Sequence, residues 1–135
     1  MTLKELSQLY WLEKEIELDE ARLEQLRSER GVQAARITQL PRSPNSVSRV
    51  EESFSRIEEI EQIIREKRIR CIEERLRLEM YIQGIPDSLT RQIFTLRFVD
   101  FLSWTEVAAR IGGGNTTAAV KKRVYRYLAE DRAGE

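Results

Sequence analysis

The chain has 135 residues, 34% of them charged and 7% aromatic, with three prolines and six glycines, which fits one compact helix-rich domain or a small domain with an extension. Lys/Arg and Asp/Glu balance at 23 each, so no global field draws the chain to nucleic acid or a membrane surface, and no apolar run approaches the roughly 20 residues of a membrane span. The absence of histidine removes the commonest general base and zinc ligand, the lone Cys71 excludes an intramolecular disulfide and suits a reduced, cytoplasmic setting, and the opening MTLKELSQ has no signal-peptide pattern.

Segment 2–30 reads as one helix, free of Gly and Pro, with Thr2 as its cap and Glu5 as the capping-box partner. Leu9, Ile16 and Leu23 recur every seven residues, and Leu12, Asp19 and Leu26 make a companion row with one polar interruption. Gly31 is the expected stop, and residues 31–48, with Pro41 and Pro44, are expected to form a long loop. A second helix over 49–83 is expected to start at Ser48 with Glu51 in its box and to stop at Gly84 and Pro86. Val50, Ile57, Ile64, Cys71 and Leu78 hold its heptad row, with Cys71 as a small core residue. Ile60 and Tyr81 share a companion row with Lys67 and Glu74. A further stripe, Ile69, Ile72 and Leu76, implies a second packing partner near the C-terminal half. The expected class is therefore all-α, with residues 1–83 as a long helical hairpin or coiled coil. Two helices alone bury little, so this segment is expected to self-associate, most simply as a dimer; the alternative is packing on the C-terminal part of its own chain.

Residues 86–130 read as a second domain. Asp87 or Ser88 caps a helix with Leu89, Ile93, Leu96 and Val99 inward, widened by Phe94 and Phe98. Ser103-Trp104-Thr105-Glu106 is a capping-box signature, followed by an inward face of Val107, Ala108 and Ile111. Gly112 stands where a left-handed conformation usually ends a helix. After it, Asn115 or Thr116 caps a last helix with Val120, Val124, Tyr127 and Leu128 on one side. At 100° per residue the other side carries Ala118, Ala119, Lys122, Tyr125 and Arg126, flanked by Lys121 and Arg123.

The charge balance hides an asymmetry. Residues 1–85 carry 15 Lys/Arg against 17 Asp/Glu, residues 86–135 carry 8 against 6, and 115–128 hold four cations and no acid. Two short helices around a glycine turn, the second cationic on its outer face, form the pattern of a helix-turn-helix that reads a DNA major groove. Thr116, Thr117, Ala118, Ala119, Lys121, Lys122, Arg123, Tyr125 and Arg126 are the candidate DNA contacts: small residues let the backbone approach base edges, cations hold phosphates, and the helix N-terminus favours an anion.

Residues 88–128 resemble the promoter-reading C-terminal helix-turn-helix (region 4) of bacterial sigma factors. The family's run I-x-x-L-R-F/Y is matched by Ile93, Leu96, Arg97 and Phe98, its L-S-x-x-E-I/V-A by Leu102, Ser103, Glu106, Val107 and Ala108, its turn by Gly112, and its V-K-x-R by Val120, Lys121 and Arg123. The match spans 41 of 135 residues, and GGGN lengthens the turn by about two residues. The 135 residues hold none of the sigma regions that melt promoter DNA or bind the polymerase clamp. Size and architecture resemble small phage and prophage transcription regulators, the ArpU-like and RinA-like late-gene activators. The resemblance implies a DNA-binding transcription regulator with duplex DNA as partner, RNA polymerase as a second candidate partner, and no cofactor.

Several residues carry two readings. Arg97 either meets a phosphate or pairs with Asp100 or Glu106; Trp104 packs over its helix start; Tyr125 touches a base or sugar, or is a plain surface tyrosine. The acids Glu58, Glu59, Glu61, Glu73 and Glu74 have Arg at helical spacing and read as solvated ion pairs. With no phosphate loop, metal-ligand spacing or nucleophile–base pair, no enzyme is expected. Two other functions stay open: a viral packaging or replication accessory that grips DNA in an oligomeric ring, and a module that binds RNA polymerase or a sigma factor.

Overall fold

The computed structural model describes residues 1–39 and 44–134, with side chains placed for 1–32, 49 and 51–134. The described residues form helices and no strand. Helices α1 (Leu3–Leu6), α2 (Gln8–Gln39), α3 (Pro44–Gln83), α4 (Ser88–Phe94), α5 (Trp104–Ile111) and α6 (Thr117–Ala133) follow in order, and a π-helical turn, Thr95–Val99, continues α4.

Thr2 caps α1 as the sequence predicts: its hydroxyl accepts from the Glu5 N–H at 3.2 Å, and the Glu5 carboxylate accepts from the Thr2 N–H at 2.7 Å. A break at Ser7, whose hydroxyl donates to the Leu3 carbonyl at 2.9 Å, separates α1 from α2. Gly31 is not a stop, for α2 runs through it to Gln39. One glycine costs a helix only about 1 kcal/mol, and the good helix formers of 33–36, Gln, Ala, Ala and Arg, carry the helix on. Nor is there a long loop, because Pro44 opens α3, where a missing N–H costs nothing. Ser48 therefore lies inside α3 and is not its cap; residues 40–43 fall outside the described residues.

The packing divides into two compact units, Glu13–Arg70 and Met1–Leu12 with Cys71–Glu135. Residues 1–12 and 71–83, placed by the sequence with the long-helix segment, thus pack in the unit of the C-terminal helices. In the first unit Ile16, Leu23, Ile57 and Ile64, the expected heptad residues, are buried. Cross-helix pairs show α2 and α3 antiparallel there: as the α2 partner moves from Glu20 to Arg27, the α3 partner moves back from Arg68 to Glu61. The polar interruptions of the two seams meet, with Lys67 Nζ 2.5 Å from Asp19 Oδ2 and 3.5 Å from Glu15. The Asp19 hydrogen bond raises the Lys67 pKa, so the ammonium stays charged at neutral pH.

In the other unit one core joins Leu6, Leu9, Leu78, Ile82 and Ile85 to Ile93, Phe94, Phe98, Val99, Val107, Ala108, Val120, Val124 and Leu128. Cys71 packs half-buried against it. Phe94 is fully enclosed, its ring 5.4 Å from Phe98, 5.6 Å from Tyr127 and 6.5 Å from Tyr81. The π-turn, closed by the Asp100 N–H to the Thr95 carbonyl at 3.0 Å, is a widening that lets Ile93, Phe94, Phe98 and Val99 all face inward. Arg91 donates to the carbonyls of Ile85 (2.7 Å) and Pro86 (3.1 Å), fastening the connector from α3, and Tyr81 donates to Asp131 of α6 at 2.7 Å. Ile69, Ile72 and Leu76 are 57–69% exposed and Met80 is 68% exposed, so the second packing partner expected for this stripe is not found among the described residues.

All three turn glycines have positive φ, +66° at Gly112, +62° at Gly113 and +78° at Gly114, and Gly112, with ψ −150°, occupies a region open essentially to glycine alone. A Cβ at Gly112 would meet no neighbour, so its substitution costs backbone strain and not a clash. We expect Gly112→Ala to lower the unfolding free energy by about 1–3 kcal/mol in urea titration, with no loss attributable to crowding.

Candidate nucleic-acid interface

The C-terminal helix is presented by the elements around it. Ser103 caps α5, its hydroxyl accepting from the Glu106 N–H at 3.2 Å and donating to the Glu106 carboxylate at 2.9 Å. Val107 and Ala108 of α5 are buried with Val120 and Val124 of α6, so the two helices share the core over their facing sides. Between them the Asn115 side-chain amide donates to the Gly112 carbonyl at 2.8 Å, closing the turn. Thr116, one of the two caps the sequence allows, then accepts from the Ala119 N–H at 3.1 Å and starts α6.

All nine candidate contacts are exposed: Thr116, Thr117, Ala118 and Ala119 at the start of α6, then Lys121, Lys122, Arg123, Tyr125 and Arg126. They are not equivalent. Val120, Val124 and Leu128 point inward, which directs Lys122 outward, with Ala118, Ala119 and Arg126 beside it. Among the described residues neither Lys122 nor Arg126 has a carboxylate within ion-pair distance.

Arg123 and Tyr125 have partners in the fold. Arg123 donates to Asp87 Oδ2 at 3.1 Å, across from the start of α4. Tyr125 lies 6.4 Å from Trp104, whose other neighbours include Phe98 and the Arg97 guanidinium, 4.6 Å over its ring. Lys121 lies 5.9 Å over the Tyr125 ring. The flanks of α6 are thus tied to α4 on one side and to α5 on the other, leaving the outward stripe free. Trp104 does pack over its helix start, half-buried. Arg97 pairs with neither Asp100 nor Glu106; it donates to the Leu102 carbonyl at 2.9 Å, because the π-turn brings that carbonyl to its guanidinium. The same connector holds Phe101 at φ +60°, a strained value for a bulky residue, with its ring 5.5 Å from Tyr10.

Asp87 is the participant that sequence reading missed. It was legible as a cap, and it does accept from the Thr90 N–H at 3.0 Å and the Thr90 hydroxyl at 2.6 Å. Its link to Arg123 joins residues 36 apart and has no local signal. Asp87, Thr90, Ala119, Arg123, Arg126 and Glu130 border a surface groove of about 390 Å³ beside α6.

The hydrogen bonds from Thr90, then the Arg123 charge, hold the Asp87 carboxyl below the ordinary aspartate range. Its folded pKa is lower than its unfolded one, so its contribution is complete above the unfolded value and is lost as pH falls through the folded one. Asp87→Asn keeps a cap and removes the charge. We expect the wild type to exceed this variant in thermal midpoint at neutral pH, and the gap to close below the usual aspartate pKa near 3.9.

Among the described residues no group of three His, Cys, Asp or Glu is placed to hold a metal ion, and no helix is long and apolar enough to cross a membrane. No protein family, curated protein or solved structure matches the chain.

Proposed function

We propose that this chain is a sequence-specific DNA-binding transcription regulator in which α5, the glycine turn and α6 act as a helix-turn-helix and α6 enters the major groove. The observation that carries this reading is the outward stripe of α6. Small residues at its start, Thr117, Ala118 and Ala119, precede two exposed cations, Lys122 and Arg126, that have no ion-pair partner among the described residues. Small side chains allow close approach to base edges, cations neutralise phosphates, and the free N–H groups of the first turn favour a phosphate. The likeness of residues 88–128 to sigma region 4 supports the same reading and suggests the phage-regulator type. Much of that pattern is scaffold here: Ile93, Phe98, Val107, Ala108 and Val120 are buried, Arg97 ties the connector, and Arg123 binds Asp87. Self-association through residues 1–83 would present two reading helices.

Selection of duplexes from a random pool at near-physiological salt tests the reading. It expects an enriched motif and an affinity that falls steeply with salt. A pool that stays unenriched, together with capture of purified RNA polymerase subunits, would replace it with a polymerase-binding module.

A further inference from the structure

We propose that Asp87 competes with an incoming phosphate for the Arg123 guanidinium, and so sets how tightly the α6 face holds a nucleic-acid backbone without affecting which sequence it prefers. This rests on the DNA reading above and adds the residue that regulates its strength.

Three cations and two acids border the groove beside α6: Lys122, Arg123 and Arg126 against Asp87 and Glu130. At 100° per residue Arg123 stands about 60° round the helix from Arg126, and its bond to Asp87 puts it on the side next to α4. A helix seated in a major groove has a sugar-phosphate rail along each flank, which makes Arg123 the cation for the rail on that side. Asp87 already stands where a phosphate would. Its Oδ2 accepts from the Arg123 Nη1 at 3.1 Å, from the Thr90 N–H at 3.0 Å and from the Thr90 hydroxyl at 2.6 Å. Thr90 is only 4% exposed, so the carboxylate is anchored from the core and does not follow the guanidinium. Arg123 is the movable partner: it reaches Asp87 through one nitrogen, with 45% of its side chain exposed. Turning it to a phosphate exchanges one anion for another and leaves a fixed, uncompensated carboxylate beside the rail. The Thr90 hydrogen bonds also keep Asp87 ionised at neutral pH. Phosphate contacts carry no sequence information, so the cost falls on every duplex alike.

The test is a cycle of Asp87→Asn, Arg123→Ala and the double variant. Asn caps a helix as Asp does, so unchanged circular dichroism is expected. Each protein is eluted by salt from heparin, a polyanion without bases whose sulfates stand in for phosphates, and titrated with several duplexes. Asp87→Asn should elute later than the wild type and bind every duplex about fivefold tighter, with a salt slope steeper by about 1. Arg123→Ala should cost about twofold or less beside Asp87 and about fivefold beside Asn at 87. Glu130→Gln removes one negative charge from the same groove, and among the described residues Glu130 is not paired with Arg123, so a smaller gain is expected. Equal gains from the two neutralisations, or the same Arg123→Ala loss in both backgrounds, overturn the competition. Weaker binding by Asp87→Asn also overturns it and makes Asp87 a positioning residue. The coupling seen on heparin with no duplex bound removes the DNA reading and keeps the competition for an anion. Its absence on heparin removes the competition, whatever duplex selection yields.

Discussion

Replacing Lys122 and Arg126 together by alanine is expected to weaken duplex binding about a hundredfold while leaving the helical circular dichroism unchanged, each cation contributing about 1–2 kcal/mol. Both side chains are exposed and without ion-pair partners among the described residues, so their removal takes nothing from the fold. The slope of log affinity against log salt should also become shallower by about 2, since two phosphate-neutralising charges are gone. Arg123→Ala is the informative contrast. Its guanidinium already donates to Asp87, so a smaller loss is expected. Unchanged operator affinity in the double variant would remove the outward stripe of α6 as the contact surface. A uniform loss across all duplex sequences would assign both cations to phosphates, and a loss confined to the selected motif would assign one of them to a base edge.

Phe94→Ala is expected to be the most damaging single substitution for stability, at about 3–5 kcal/mol in urea titration. Phe94 is 0% exposed, and the rings of Tyr81, Phe98 and Tyr127 surround it from α3, the π-turn and α6. Deleting it opens a cavity where three elements meet, against a total stability that for an ordinary domain is only about 5–15 kcal/mol. DNA binding should fall with the folded fraction, unlike the Lys122/Arg126 variant, which should fold normally. A loss under about 1 kcal/mol would mean that the site collapses and that α6 is held chiefly by its flanking contacts to Asp87 and Trp104.

The caps show how local the legible part of the architecture is. Thr2, Asp87, Ser103 and Thr116 each accept from an N–H three residues on, a relation visible in four consecutive letters. The buried sides of α5 and α6 were legible for a similar reason, as apolar spacing near 3.6 residues marks an inward face whatever it packs against. Gly31 and Pro44 misled because their usual meaning as breakers depends on position. A glycine among good helix formers is tolerated, and a proline at the first helical position begins a helix. The π-turn at Thr95–Val99 has no comparable signature, being a response of the backbone to several large residues needing one core.

The sequence by itself determined the helical class, the capped starts of α1, α4, α5 and α6, and which side of α6 is cationic, because each depends on residues within about one or two helical turns. Only the tertiary structure decided which charges are engaged and which apolar stripe stays open. Lys67 finds Asp19 across 48 residues and Arg123 finds Asp87 across 36, while Ile72, Leu76 and Met80, apolar like their buried neighbours, face solvent. Such outcomes follow from how distant segments come together, and a side chain's type states what it can do without stating what it will meet.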